Sequence, residues 1–122
     1  MQPLIRGRYA PSPTGDLHLG NLRTALLAWL FVRKAGGVFT LRVEDLDRPR
    51  VLPGAPARMM EDLRWLGLDW DEGPGCGGPY GPYMQSERQA IYEAYLARLR
   101  AADLIYPCYC SRAEVARAVS AP

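Results

Sequence analysis

An α/β domain is the fold class these 122 residues predict, and three observations predict it. The stretch Leu4 to Tyr9 reads as a short strand. A helical recurrence of apolar residues follows it. Val38 to Val43, VFTLRV, is then a β-branched strand. Strand, helix, strand closes by a right-handed crossover onto a parallel pair, which places the loop after each strand on the same sheet edge, where ligands bind.

Composition agrees with one domain. The chain is 48% hydrophobic and 23% charged, enough apolar residue for one core. No run approaches the roughly 20 apolar residues of a membrane span, and MQPLIRGRYA lacks the apolar centre of a signal peptide, so the expected location is cytoplasmic. Three cysteines do not suggest a disulfide framework, and Cys108 and Cys110 lie too close in sequence to bridge easily. A net charge of +2 is too small to argue for nucleic acid.

The elements follow in order. After Tyr9 the chain passes through PSPTGD, rich in turn residues, into a helix whose inner face is Leu22, Ala25, Leu26, Trp29, Leu30 and Arg33. Gly36 and Gly37 stop it just past the basic Arg33 and Lys34. A second helix runs from about Pro56 to Leu66, with Met59, Leu63 and Leu66 inward and Gly67 as its stop. The glycine- and proline-rich stretch from Leu68 to Gln85 is an ordered excursion whose tyrosines pack. Ser86 and Gln89 form a capping box for a helix with Ile91, Tyr95, Leu99 and Ala102 on one face. Leu104 to Pro107 is a third strand, and Ser111 with Glu114 caps a last helix, RAEVARAV.

Two loops carry the chemistry. In RYAPSPTGDLHLGN a strand is stiffened by two prolines as it enters a helix near Leu19, whose amides and partial positive charge suit a phosphate. His18 adds a donor for developing phosphate charge, and Gly20 lets a flat base approach the helix backbone. The plainer alternative is that His18 caps the helix and Gly15 makes a turn. At the end of the second strand, Glu44, Asp45 and Asp47 could bind a metal, act as a base, or pair with Arg42, Arg48 and Arg50. Glu44 shares the edge of the first loop, so it could pair with a substrate ammonium while Arg8 pairs with a substrate carboxylate. Asp45 and Asp47 are structural by default.

These residues carry a resemblance. His18-Leu19-Gly20-Asn21 resembles the HIGH motif of class I aminoacyl-tRNA synthetases, and Arg8 to Gly15, RYAPSPTG, resembles the run that precedes it in the glutamyl and glutaminyl members. Tyr9 replaces a Phe, and Asn21 replaces the motif's second histidine. LRVEDLDRPR resembles that family's second block, in which the residue matching Glu44 contacts the α-amino group of glutamate. The resemblance covers nearly all of residues 5 to 118 and implies a Rossmann-like catalytic domain, of which this is the amino-terminal half. It assigns Arg8, Tyr9, Ala10, Pro11, Ser12 and Glu44 to glutamate. Ser12, Thr14, Gly15, His18, Gly20 and Asn21 go to ATP, with His18, Gly20 and Asn21 catalytic.

Arg50 to Ala55 resembles the R-x-x-P-G-A of glutamyl-queuosine tRNA(Asp) synthetases, shortened paralogues that activate glutamate with ATP and transfer it to the queuosine base of tRNA(Asp). Cys108-Tyr109-Cys110 resembles the first half of their zinc site. The division implied is residues 1–107 as catalytic half and 108–122 as the start of a zinc-binding insertion. Two residues apart on an extended segment, both thiolates could reach one ion, yet zinc takes four ligands; Cys76 is the remaining cysteine, and buried unmetallated thiols are the alternative. The implied reaction is attack of the glutamate carboxylate on the α-phosphate of ATP, with Mg2+ accompanying the nucleotide and the full-length protein a monomer. The family's KMSKS loop does not occur in these residues, so the expectation is that they are inactive or nearly so alone. Two other functions fit: part of a discriminating glutamyl-tRNA synthetase charging tRNA(Glu), or a non-catalytic nucleotide- or RNA-binding fragment using Arg98, Arg100, Arg112 and Arg117.

Overall fold

The computed structural model describes residues 4–120. Its elements are β1 (Arg6–Tyr9), α1 (Leu19–Lys34), β2 (Val38–Leu41), a 3-10 turn at Arg48–Arg50, α2 (Ala55–Trp65), a second 3-10 turn at Gln85–Arg88, α3 (Gln89–Ala101) and α4 (Arg112–Val119). β1 and β2 pair in parallel, with Arg6 opposite Val38 and Tyr9 opposite Leu41. The pairing continues past the strands, since the Arg42 amide donates to Tyr9 O at 3.0 Å and the Glu44 amide to Pro11 O at 2.9 Å. Further parallel bridges join Thr40 to Glu72 and Val43 to Met84. The predicted strand–helix–strand unit is present.

Side chains alternate across the pair. Tyr9, Phe39 and Leu41 are buried with Ala25 and Val32 of α1, Leu63 of α2, and Leu68. Arg6, Arg8 and Thr40 face the other way. Gly7 is where strand and helix touch: a Cβ there would overlap the Val32 side chain. That close approach draws Val32 into the core, 4% exposed, and leaves Leu30 turned out at 47%, so the buried stripe of α1 is rotated from the predicted one. Leu22, Leu26 and Trp29 pack against the cluster as their spacing predicts. On α2, Met59 and Leu63 are buried, whereas Leu66 lies beyond the last turn and is 37% exposed.

The glycine-rich excursion is ordered, as expected. Gly73 and Gly77 exchange two backbone hydrogen bonds of 2.9 Å. Glu72 and Tyr83 are both buried; the Tyr83 hydroxyl donates to Glu72 Oε2 at 3.2 Å, and Arg6 and Thr40 bond the same carboxylate. Arg6, the nearest cation, holds the Glu72 carboxyl below its usual range and also lies over the Tyr80 ring.

Two predicted features are absent. Ser86 does not cap a helix; its amide and hydroxyl both donate to Asp45, at 2.8 and 2.6 Å, because a buried carboxylate is the stronger acceptor. Leu104 to Pro107 forms no strand, since β-propensity makes a strand only where a neighbour supplies hydrogen bonds. The chain divides into two compact units, residues 1–89 and 90–122. In the second, no residue of α3 or α4 is buried, and the Ser111–Glu114 box forms as predicted, with amide bonds of 3.3 and 2.6 Å. Among the described residues no helix is long and apolar enough to cross a membrane.

Candidate active site

Strand β1 runs through Ala10 and Pro11 into a segment with no regular structure before α1, so residues 11–18 lie over the carboxyl edge of the β1–β2 pair. Two backbone bonds fix that segment from below: Glu44 N to Pro11 O, and Leu52 N to Pro13 O at 3.1 Å. A cleft of about 310 Å³ opens above it, lined among others by Ser12, Thr14, Gly15, Asp16, His18 and Asn21. A larger hollow, about 490 Å³ between Arg64, Trp70 and Cys76, contains none of the signature residues.

His18 is the N-cap of α1. Its Nδ1 accepts from the Gly20 amide at 3.1 Å, and its own amide donates to Asn21 Oδ1 at 3.2 Å. Capping and function are therefore compatible: an accepting Nδ1 leaves the ring N–H on Nε2, which no other described residue engages. Asn21, the departure from the motif, serves the cap. A Cβ on Gly20 would sit 2.9 Å from His18 Cε1, so the glycine makes room for the imidazole as well as leaving the helix end bare.

The other predicted residues divide into three groups. Ser12 and Thr14 are exposed in the cleft wall. Arg8 is exposed on the face of β1 opposite the core, and its side chain bonds no other described residue. Glu44 continues that face beyond Thr40 and Arg42, and its carboxylate is paired with Arg42. Tyr9 lies in the core, 7% exposed, and its hydroxyl finds no partner among the described residues. Burial pushes that phenol above its ordinary pKa. Asp45 is held by Ser86 and Asp47 by Arg50, at 3.7 Å, which is the structural role assigned by default.

The cysteines stand apart from other metal-binding side chains among the described residues. Cys108 and Cys110 are exposed rather than buried, and among the described residues no three His, Cys, Asp or Glu side chains come together to hold an ion. Two thiolates fall short of the four ligands a structural zinc takes. Cys76 turns its sulfur toward Gly73 O, 3.6 Å away.

Three contributors escaped the sequence reading. Arg58 of α2 bonds Asp16 in the cleft wall at 2.8 Å, across 42 positions, with no local signal to announce it. Ser86 pins the residue beside Glu44. Arg42, adjacent in the same strand, was legible as a partner for the acidic cluster but not as Glu44's own.

Comparison with known proteins sets these residues in a family. Residues 4–120 match the model of the tRNA synthetases class I (E and Q), catalytic domain. The chain belongs to that family. It is 60% identical over 119 residues to the Glutamyl-Q tRNA(Asp) synthetase of Symbiobacterium thermophilum, covering 98% of this chain and 37% of that protein. To Glutamate–tRNA ligase 2 of Acidithiobacillus ferrooxidans it is 54% identical over 112 residues, 92% of this chain and 23% of the relative. The crystal structure of a glutamate tRNA ligase from Elizabethkingia meningosepticum, in complex with its amino acid, superposes with a TM-score of 0.83 at 46% identity, over 95% of this chain and 23% of that one. The chain thus spans about a quarter to two fifths of the length of these relatives, and its Rossmann-like class I fold is that of the catalytic domain.

Proposed function

We propose that this chain supplies the ATP- and glutamate-binding part of a ligase that activates L-glutamate and transfers it to tRNA, the acceptor being the queuosine base of tRNA(Asp). The observation that carries it is the cleft uniting Ser12, Thr14, Gly15, His18 and Asn21 beside the tethered Glu44. In this reading the α1 N-terminus and the His18 Nε2–H receive phosphate oxygens, Arg8 takes a substrate carboxylate, and Glu44 accepts from the α-ammonium beside Arg42. The glutamate carboxylate attacks the α-phosphate, pyrophosphate leaves, and the acyl group passes to the RNA; these residues orient the reactants and answer charge as it develops. Mg2+ travels with the nucleotide. Residues 1–107 form the amino-terminal catalytic half and 108–122 begin an insertion.

The queuosine acceptor is favoured over tRNA(Glu) by the R-x-x-P-G-A run and by the 60% relative. Calorimetry on the chain with Mg·ATP and L-glutamate is the first test; failure to bind glutamate, or equal affinity for glutamine, sinks the substrate reading. L-Glutamate-dependent pyrophosphate exchange by these 122 residues alone is expected to be negligible. The complete gene product should glutamylate queuosine-bearing tRNA(Asp), and charging of tRNA(Glu) instead overturns the acceptor.

A further inference from the structure

Asp16 presents a problem for a cleft that receives phosphates, because its carboxylate forms part of the wall and its side chain is 70% exposed. Arg58 answers it. The Arg58 Nε donates to Asp16 Oδ1 at 2.8 Å, and Nη1 donates to Pro53 O at 3.1 Å, so the guanidinium is held at both ends. The turn before α2 sets that geometry. Gly54 adopts φ 73°, where a β-carbon is disfavoured, and a Cβ there would lie 3.0 Å from Arg58 Nη1. Leu52 N to Pro13 O ties the same turn to the same loop.

We propose that Arg58 is a positioning residue for the nucleotide, and that the Pro53-Gly54-Ala55 turn exists to aim it. By neutralising Asp16 it lets a polyphosphate enter a cleft that otherwise carries an uncompensated negative charge. The inference rests on the ATP reading of the cleft and adds a function for a sequence run that otherwise only marks a subfamily.

A charge cycle tests it. Mg·ATP and adenosine binding are measured by calorimetry for the full chain and for Arg58→Gln, Asp16→Asn and the double variant, with thermal melts alongside. Charge compensation predicts that Arg58→Gln weakens Mg·ATP about fivefold, the upper range for an exposed pair. Asp16→Asn tightens it, the double variant returns to within about twofold of the parent, and adenosine, lacking phosphates, is unaffected throughout. A double variant as weak as Arg58→Gln, or an equal loss for adenosine, reduces the pair to a tether and overturns the proposal. Wild-type chain that binds no ATP, or binds it undiminished by His18→Asn, overturns the nucleotide reading and this inference with it. Retained His18-dependent binding with Arg58→Gln unchanged overturns the inference alone.

Discussion

Single side chains decide several outcomes, and His18 decides two at once. Its Nδ1 caps α1 while its Nε2–H remains outward. His18→Asn separates these roles, since asparagine is among the best N-caps but its shorter side chain places no donor at the position of Nε2. The melting temperature should hold while Mg·ATP affinity falls about tenfold or more, as for loss of a charge-assisted hydrogen bond of roughly 1.5–3 kcal/mol. His18→Ala should lose both, the cap costing about 1 kcal/mol in denaturant titration. Tyr9 makes the opposite case. Its buried hydroxyl has no partner among the described residues, so Tyr9→Phe should stabilise the chain by about 1 kcal/mol or leave it unchanged, measured as a shift in urea midpoint at constant slope. A clear loss of stability would mean that the hydroxyl is hydrogen-bonded after all. At this scale the sequence located the His18 cap and the place of Glu44 beside the first loop, and was uninformative about the burial of Tyr9, which depends on which face of β1 meets the core.

Elements were legible where their signals are local. β1, α1, α2 and α4 fall within a few residues of expectation because periodicity, glycine stops and the Ser111–Glu114 box act over four positions or fewer. The errors lie where a distant partner intervenes: Ser86 taken by Asp45 across 41 positions, and Leu104 to Pro107 without a strand to pair with. The C-terminal turn of α1 depends on such a partner too. Arg33 bonds Asp69 at 2.8 Å and Asp71 at 2.6 Å, and the Asp71 carboxylate also receives the Phe39 amide at 2.7 Å. The Arg33 bond lowers the Asp69 pKa; burial works to raise that of Asp71, but the Phe39 amide and Arg33 outweigh it. Both folded values lie below the ordinary one, so their stabilisation is complete above about pH 4 and is lost as pH falls through the folded values. Melting temperature should therefore drop in acid, and Arg33→Met should lower it at neutral pH while flattening the acid limb. An unchanged acid limb in the variant would assign the loss to other carboxylates.

The molecule as a whole is uneven in its burial. The buried residues lie between Tyr9 and Tyr83, and those of α3 and α4 are exposed. Amide hydrogen exchange should accordingly be slowest in Phe39, Leu41 and the inner face of α1, and fast through Arg112–Val119, whose helix has only its own bonds to protect it. Slow exchange in α4 would show an ordering contact that the exposed surface does not reveal. Alternation of element types was enough to announce the α/β class, because it is a property of the whole chain. The division after Gln89 was not legible, since nothing in the composition changes there.

Asp45 and Ser86 also bear on how this architecture tolerates changes in length. With Val43 N to Tyr83 O and Gln85 N to Val43 O, both 2.9 Å, they fasten the two ends of a 46–85 excursion at its base, directly beside Glu44. Lengthening a flexible closed segment adds only about 0.6 kcal/mol of closure entropy per doubling, so the main cost of an insertion at the tip, between Gly75 and Cys76, is the disturbance of the Gly73–Gly77 bonds. An insertion there is expected to leave the Glu44 carboxylate at the neck in place, because the bonds at the base do not involve the tip.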